Sequence, residues 1–351
     1  MPADRCRWTH RRCAGVVQAA YTGLDRTGPD LSGDAGGASG GQSLSMSDDQ
    51  HDLQPDPLLI GGVPKPPLAL LPEPVGLFQM RARRFAFLAQ DHELAPYLRF
   101  LADLSRLQAR LAATLAPVEP VPADSCARAA QAHMPPIDRH ALGADPALAA
   151  TLQALLDGAS EPEMPDAARA ALDAALLAGA VDRRWLLDNV LGDEIPVDSA
   201  APHLFAAAAV QVHLARLAAG LDADALVPVA TGVCPACGGR PVTSSVMGMQ
   251  GIESVRYACC AGCATQWNEV RVKCLCCGSN RGLSYRSVGT DEATVKAESC
   301  RECNAWVKIF YKVKNESLDP VADDVGSLGL DILMKDAGVR RGGFNPFLVG
   351  Y

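Results

Sequence analysis

Aromatic side chains are scarce in this chain, 5% of 351 residues, although 48% of the residues are hydrophobic. The apolar mass is carried by Ala, Leu and Val, a mixture that favours helices. No apolar run reaches the roughly 18 residues that mark a membrane span, so stable membrane insertion is not expected. Positive charge is not in excess either. The net charge is −8 and the pI is about 5.4, which excludes bulk attraction to nucleic acid or anionic lipid. The seven histidines show no H-E-x-x-H spacing, and His133, His140, His203 and His213 read as surface or helix-packing residues. G-x-S-x-G, Walker and dinucleotide fingerprints are missing, so the enzyme classes they announce have no support. Arg11-Arg12 has the look of a twin-arginine export signal, but residues 13–20 are short and mixed rather than a sustained apolar core, which speaks against export.

The chain divides by composition. Residues 1–76 read as a disordered or extended leader. Its first 45 residues contain the run Gly36-Gly37-Ala38-Ser39-Gly40-Gly41 and fit an over-long start, because Met46 opens a plausible beginning. Residues 51–76 are rich in proline, which blocks helix interiors and favours extended backbone. Residues 77–220 read as an all-α domain of about six helices. Leu94, Leu98, Leu101, Leu104, Leu107, Leu111 and Leu115 line one helical face, and further helices are expected at 146–157, 165–179, 182–191 and 199–219. The Arg81, Arg83 and Arg84 cluster reads as a solvated helix face, or as a greeting for an acidic partner. After a linker at 221–233, short β-rich stretches follow at 242–246, 254–258, 267–272 and 307–313. Residues 316–351 are expected to form a last helix, begun at Asp319-Pro320 and closed by Gly338, and then an extended tail. The fold class is therefore α+β: a helical domain, two small metal-binding units (234–272 and 273–315) and a C-terminal helix.

Cysteine is where the sequence is rich. Of 13 cysteines, Cys6, Cys13 and Cys126 are scattered and ten lie between Cys234 and Cys303. Without a secretion signal this usage points to a reducing compartment and to metal or redox chemistry. Four C-x-x-C pairs occur: Cys234/Cys237, Cys260/Cys263, Cys274/Cys277 and Cys300/Cys303. The third and fourth pairs repeat the first and second at an offset of 40 residues, so the segment is an internal repeat. Two intervening residues let a tight turn aim both sulfurs at one point, and Gly238 and Gly278 fit the positive-φ position of such turns. The 22 residues between knuckles fit a β-hairpin that returns the chain to the same ion. Four sulfurs per unit then suit tetrahedral zinc or a single rubredoxin-type iron, two ions per chain. Metal binding would supply much of each unit's folding free energy. Closed coordination leaves no open position for a substrate, which counts against hydrolytic chemistry. Cys259 and Cys276 stand outside the repeat and read as spare thiols. Trp267 and Trp306 are expected to cover the metal sites.

These residues resemble the formate dehydrogenase accessory proteins of the FdhE type. The likeness rests on Cys234-Pro235-Ala236-Cys237-Gly238, Cys260-Ala261-Gly262-Cys263-Ala264-Thr265-Gln266-Trp267, Arg271-Val272-Lys273-Cys274, Lys296-Ala297-Glu298-Ser299-Cys300, Val321-Ala322-Asp323-Asp324 and Asn345-Pro346-Phe347-Leu348. Tyr97-Leu98-Arg99-Phe100 in the helical part is similar too. The resemblance covers roughly residues 75–350 and leaves out 1–45. It implies a cytoplasmic maturation factor, not an enzyme, that associates with the catalytic subunit of formate dehydrogenase. It also implies iron bound through the paired C-x-x-C motifs, with zinc as the alternative, and carries all eight ligand positions over one by one. A homodimer is compatible with it.

The cysteine pattern also fits two other kinds of protein. Residues 231–315 hold 11 Lys+Arg and 6 Asp+Glu. Subtracting the charge of two metal–thiolate centres leaves roughly +1 to +3, too little for a zinc-ribbon module that tracks phosphates. A rubredoxin-like electron-transfer protein is the other alternative, and it requires iron rather than zinc.

Overall fold

The structure is a computed structural model that describes residues 65–161, 163–249, 252–290 and 292–349. The expectations for residues 1–45, for Met46 as a start, and for Cys6 and Cys13 lie outside the described residues.

Proline-rich residues 65–73 are extended as expected, but they are also paired. Strand β1 (Ala69–Leu70) joins the sheet edge at β4 (Gln266–Asn268) in antiparallel register, with the Asn268 N–H donating to the Leu68 carbonyl at 2.8 Å. Helix α1 (Pro74–Leu88) starts three residues earlier than expected. Pro74 at its first position needs no N–H partner, and the Glu73 carboxylate accepts from the Val75 and Gly76 amides, which satisfies two orphan donors. Helix α2 (Ala95–Thr114) buries Leu98, Leu101, Leu104, Leu107 and Leu111, the expected stripe.

Two short helices follow that the periodicity did not announce, α3 (Ala123–Gln131) and α4 (Arg139–Leu142). The first has no buried residue and the second spans one turn, so neither carries an apolar repeat long enough to read. Then come α5 (Pro146–Ala159), α6 (Asp166–Leu177), α7 (Ala180–Leu191) and α8 (Ala200–Ala219). The expected six helices are eight among the described residues, because α3 and α4 are added. Asp145 caps α5 through the Ala147 amide at 2.8 Å. Helix α8 is buried nearly all round, as an Ala-rich helix at the centre of a bundle must be. Its small side chains let α2, α5, α6 and α7 approach it closely. Fully buried leucines such as Leu148 and Leu155 each contribute about 1.5–3 kcal/mol by leaving water.

The second half of the chain builds one eight-stranded sheet. Its strands are β2 (Pro241–Met249), β3 (Ile252–Cys260), β4, β5 (Leu283–Arg286), β6 (Val295–Cys300) and β7 (Ala305–Tyr311), with β1 and β8 (Arg340–Arg341) added. The order is β1-β4-β3-β2-β7-β6-β5, and β8 pairs with β7. The 40-residue repeat is visible in this order. Strands β2, β3 and β4 form one antiparallel unit and β5, β6 and β7 form the other. The first strand of one unit lies parallel to the last strand of the other, Ser244 opposite Ile309. The tandem units therefore share a sheet. Across the seam, fully buried Arg256 on β3 pairs with Glu298 on β6 at 2.8 Å.

Where a single last helix was expected there are two, α9 (Ala322–Gly326) and α10 (Leu328–Asp336), separated at Ser327. The Ser327 hydroxyl donates back to the Asp323 carbonyl at 2.6 Å, a bond that competes with helix continuation. Buried Lys308 on β7 meets Asp324 at 3.1 Å and Asp331 at 2.5 Å, and Arg341 completes both pairs. This charge cluster holds α9, α10 and β8 to the sheet. The arginine cluster of α1 is not the solvated face expected. Arg81 is 2% exposed and bonds Asp319, and Arg84 grips Asp323 at 2.6 Å; Arg83 alone is exposed. Their acidic partner is this chain's own C-terminal segment.

Candidate metal centres

Each knuckle is built by local hydrogen bonding that the repeat copies. The Gly238 amide donates to the Cys234 carbonyl at 2.8 Å, and Gly278 donates to Cys274 at 2.9 Å. The Cys234 amide donates to the Gly239 carbonyl at 3.0 Å, and Cys274 donates to Ser279 at 2.8 Å. Both glycines sit at positive φ, +74° and +76°, where a Cβ is penalised. A signal that sequence reasoning missed repeats as well. Ala264 and Asn304, 40 residues apart and each directly after a second knuckle, both adopt left-handed backbone, φ +60° and +48°. Each turns the chain into the third strand of its unit.

The eight expected ligands come together four at a time. Cys234, Cys237, Cys260 and Cys263 form one quartet, and Cys274, Cys277, Cys300 and Cys303 the other; within each, all sulfurs lie within 4.8 Å of one another. The cross-hairpin contacts are 3.6 Å for Cys234–Cys263 and 3.5 Å for Cys237–Cys260, then 3.8 Å for both Cys274–Cys303 and Cys277–Cys300. These are far longer than a disulfide, about 2.05 Å, and the cysteines are free. They match the edge of a sulfur tetrahedron, about 3.8 Å for metal–sulfur bonds of about 2.3 Å. Burial, with the neighbouring sulfurs adding to it, pushes the Cys234 thiol far up. Four thiolates so close together need a cation among them, and the donor set fits a tetrahedral, sulfur-loving ion.

The two quartets differ in their surroundings. In the first, no sulfur-bearing residue exceeds 1% exposure. In the second, Cys277 is exposed and Cys303 partly so, and the Ser279 backbone holds the Cys277 thiol below its usual value. The helical domain covers the first quartet. The Gln211 amide of α8 donates to the Ala261 carbonyl at 2.9 Å, and the Ile137 amide donates to Ala236 at 3.1 Å. Arg139 of α4 is 7% exposed and pairs with Asp193 through bonds of 2.9 and 2.7 Å.

The remaining candidates are placed apart from the sulfurs or beside them. Cys259 is buried, and its thiol is pushed up by burial. Cys276 is half-buried beside Cys274, and burial pushes it up to about 12. Trp267 donates its indole N–H to Glu269 at 3.1 Å. Trp306 packs with Ala297, Leu330 and Met334 in a small separate core. His203 and His213 are buried helix-packing residues, while His133 and His140 are exposed. No described helix is long and apolar enough to cross a membrane.

Comparison with known proteins covers nearly all of the described chain. Family models match in three consecutive blocks: FdhE, N-terminal, over residues 66–231; FdhE, central domain, over 233–271; and FdhE, C-terminal domain, over 272–348. A protein FdhE homolog of Rhizobium meliloti (strain 1021) is 56% identical over 301 residues, 85% of this chain and 98% of the relative. One from Edwardsiella ictaluri is 36% identical over 287 residues, 80% of this chain and 90% of the relative. The crystal structure of the FdhE protein from Pseudomonas aeruginosa superposes with a TM-score of 0.72 at 31% identity, covering 81% of this chain and 99% of that one.

Proposed function

The chain belongs to the FdhE family, and from that premise we propose that it is a cytoplasmic accessory factor in the maturation of formate dehydrogenase. It docks on the immature catalytic subunit and performs no turnover of its own. The eight cysteines hold two ions, rubredoxin-type iron or zinc, whose chemistry is to bind thiolate tightly and, for iron, to exchange one electron. The observation that carries the reading is the pair of sulfur quartets, of tetrahedral size and without an open coordination position. They lie one in each of the two family blocks that follow the helical part. Closed coordination supports a binding role over hydrolysis.

The chain's own residues divide the work. The first quartet, sealed beneath α8 and α4, ties the helical domain to the sheet. The second presents Cys277 to solvent, where a partner can reach it. The test is capture of the formate dehydrogenase catalytic subunit by the wild-type chain and by Cys234→Ser and Cys274→Ser variants, with metal content measured on the same samples. Each variant is expected to lose the ion of its own quartet and to bind the subunit more weakly. A metal-free double variant that captured the subunit as well as the wild type does would remove the metals from the mechanism. An absence of capture by the metal-loaded wild type would remove the partner.

A further inference from the structure

The two quartets share a repeat but not an electrostatic environment, and the difference centres on Arg139. A methyl group placed on Gly239 would lie 2.5 Å from Arg139 Nη1 and 3.1 Å from Cys260 Sγ. One placed on Gly262, inside the second knuckle, would lie 3.8 Å from Arg139 Nη2. The guanidinium therefore reaches both knuckles of the first quartet, and beside Cys260 it lies in space that Gly239, lacking a Cβ, leaves open. Its Nε is buried without a hydrogen-bond partner. Forty residues on, the repeat carries Ser279 and Glu302 at the corresponding positions, side chains where the first quartet has none. The cations beside the second quartet in the chain, Lys273 before Cys274 and Arg301 after Cys300, are half-buried and exposed respectively, where water screens them.

We propose that Arg139 is the built-in counter-charge of the first sulfur quartet: a buried cation, held by Asp193 and admitted by Gly239, that tightens ion binding there and not in the second quartet. Four thiolates around a divalent ion leave a net charge of about −2 in a site closed to water, and a fixed cation beside the sulfurs stabilises that charge. The proposal rests on both quartets being metal sites.

The full-length chain loaded with cadmium gives a test that separates the two ideas. Its 113Cd NMR spectrum is expected to show one resonance per quartet, assigned with Cys277→Ser, and each is followed against a competing chelator. Removing groups beside a metal's ligands typically costs 10–100-fold in affinity. Arg139→Gln should weaken the first quartet by that factor and leave the second unchanged. Arg139→Lys should recover part of the loss. Asp193→Asn, whose amide oxygen can still accept from the guanidinium but no longer neutralises it, should shift the first quartet toward tighter binding. A merely structural salt bridge would make Arg139→Gln and Asp193→Asn loosen the ion alike, and that result overturns the proposal. An unchanged first quartet in Arg139→Gln, or a parallel shift of both quartets, overturns it too. If neither resonance appears in the wild type, the metal reading itself fails and takes this inference with it.

Discussion

The side-chain amide of Gln211 donates a 2.9 Å hydrogen bond to the carbonyl of Ala261, so the central helix of the bundle reaches directly into the second knuckle of the first sulfur quartet. The same side chain accepts from Gln108 at 3.1 Å and from Arg81 at 3.4 Å. Gln211→Leu would keep the packing volume but leave these buried groups short of partners, at a cost of about 1–3 kcal/mol. Urea denaturation of the metal-loaded protein should show that loss, with slower metal uptake by the first quartet. Unchanged stability would mean that the helix and the knuckle are not coupled.

The linker that leads into the first metal unit is pressed against the second at Gly232. Its φ is +68°, and a Cβ there would stand 2.0 Å from the backbone carbonyl oxygen of Leu275 in the second unit. Gly289 has φ +90° with nothing within 4 Å. Both Gly→Ala changes incur the left-handed penalty of about 1–2 kcal/mol. Only Gly232→Ala adds a backbone clash, and it should be the more destabilising by thermal denaturation. Equal effects would show that the contact between the linker and the second unit carries no weight.

Ions should leave the two quartets at different rates. The first is sealed, while Cys277 and Cys303 give solvent and chelators a way into the second. A fixed concentration of chelator should release metal in two phases, one equivalent each, and Cys277→Ser should abolish the fast phase alone. A single phase in the wild type would contradict the asymmetry.

Stability should fall as pH drops through about 6.5, partly through His213. Burial lowers its pKa; Asp145, 3.4 Å away, raises it again without restoring the ordinary value. The unfolded chain then binds a proton in a range where the folded chain resists it, so the neutral imidazole's contribution is whole above the unfolded pKa and is lost as acid is added. His203 is lowered by burial in the same direction. Thermal melts between pH 7.5 and 5.5 should slope downward toward acid, and His213→Leu should flatten part of that slope. A variant with the wild-type slope would exonerate the residue.

Much of the candidate site is legible in the order of residues, because its signals are local. The C-x-x-C spacing, the 40-residue offset and the glycine after each first knuckle all describe turns of a few residues, and the turns form as their spacing implies. Long helices are legible for a similar reason: the leucine stripe of α2 and the Asp145-Pro146 start of α5 are written within one or two turns. What escapes is short or non-local. Helices α3 and α4 lack a stripe. Strands β1 and β5 have too few residues to show a period, and β6 carries Lys296, Glu298 and Ser299 in place of an apolar, β-branched run. Arg81 and Arg84 look like a wet surface because the aspartates that bury them lie more than 230 positions away along the chain.

The sequence alone determined that eight sulfurs would gather in two sets of four, because each set is drawn together by paired turns and a hairpin whose geometry depends on nearby residues. It also determined a helical half rich in alanine. Only the tertiary structure decided that the two units would share one sheet, that one quartet would be sealed under α8 and the other left open, and that Arg139 would stand beside the first. Those outcomes depend on which surfaces meet after the local elements have formed. Burial and charge pairing between residues remote in the chain leave no periodic mark in the order of amino acids.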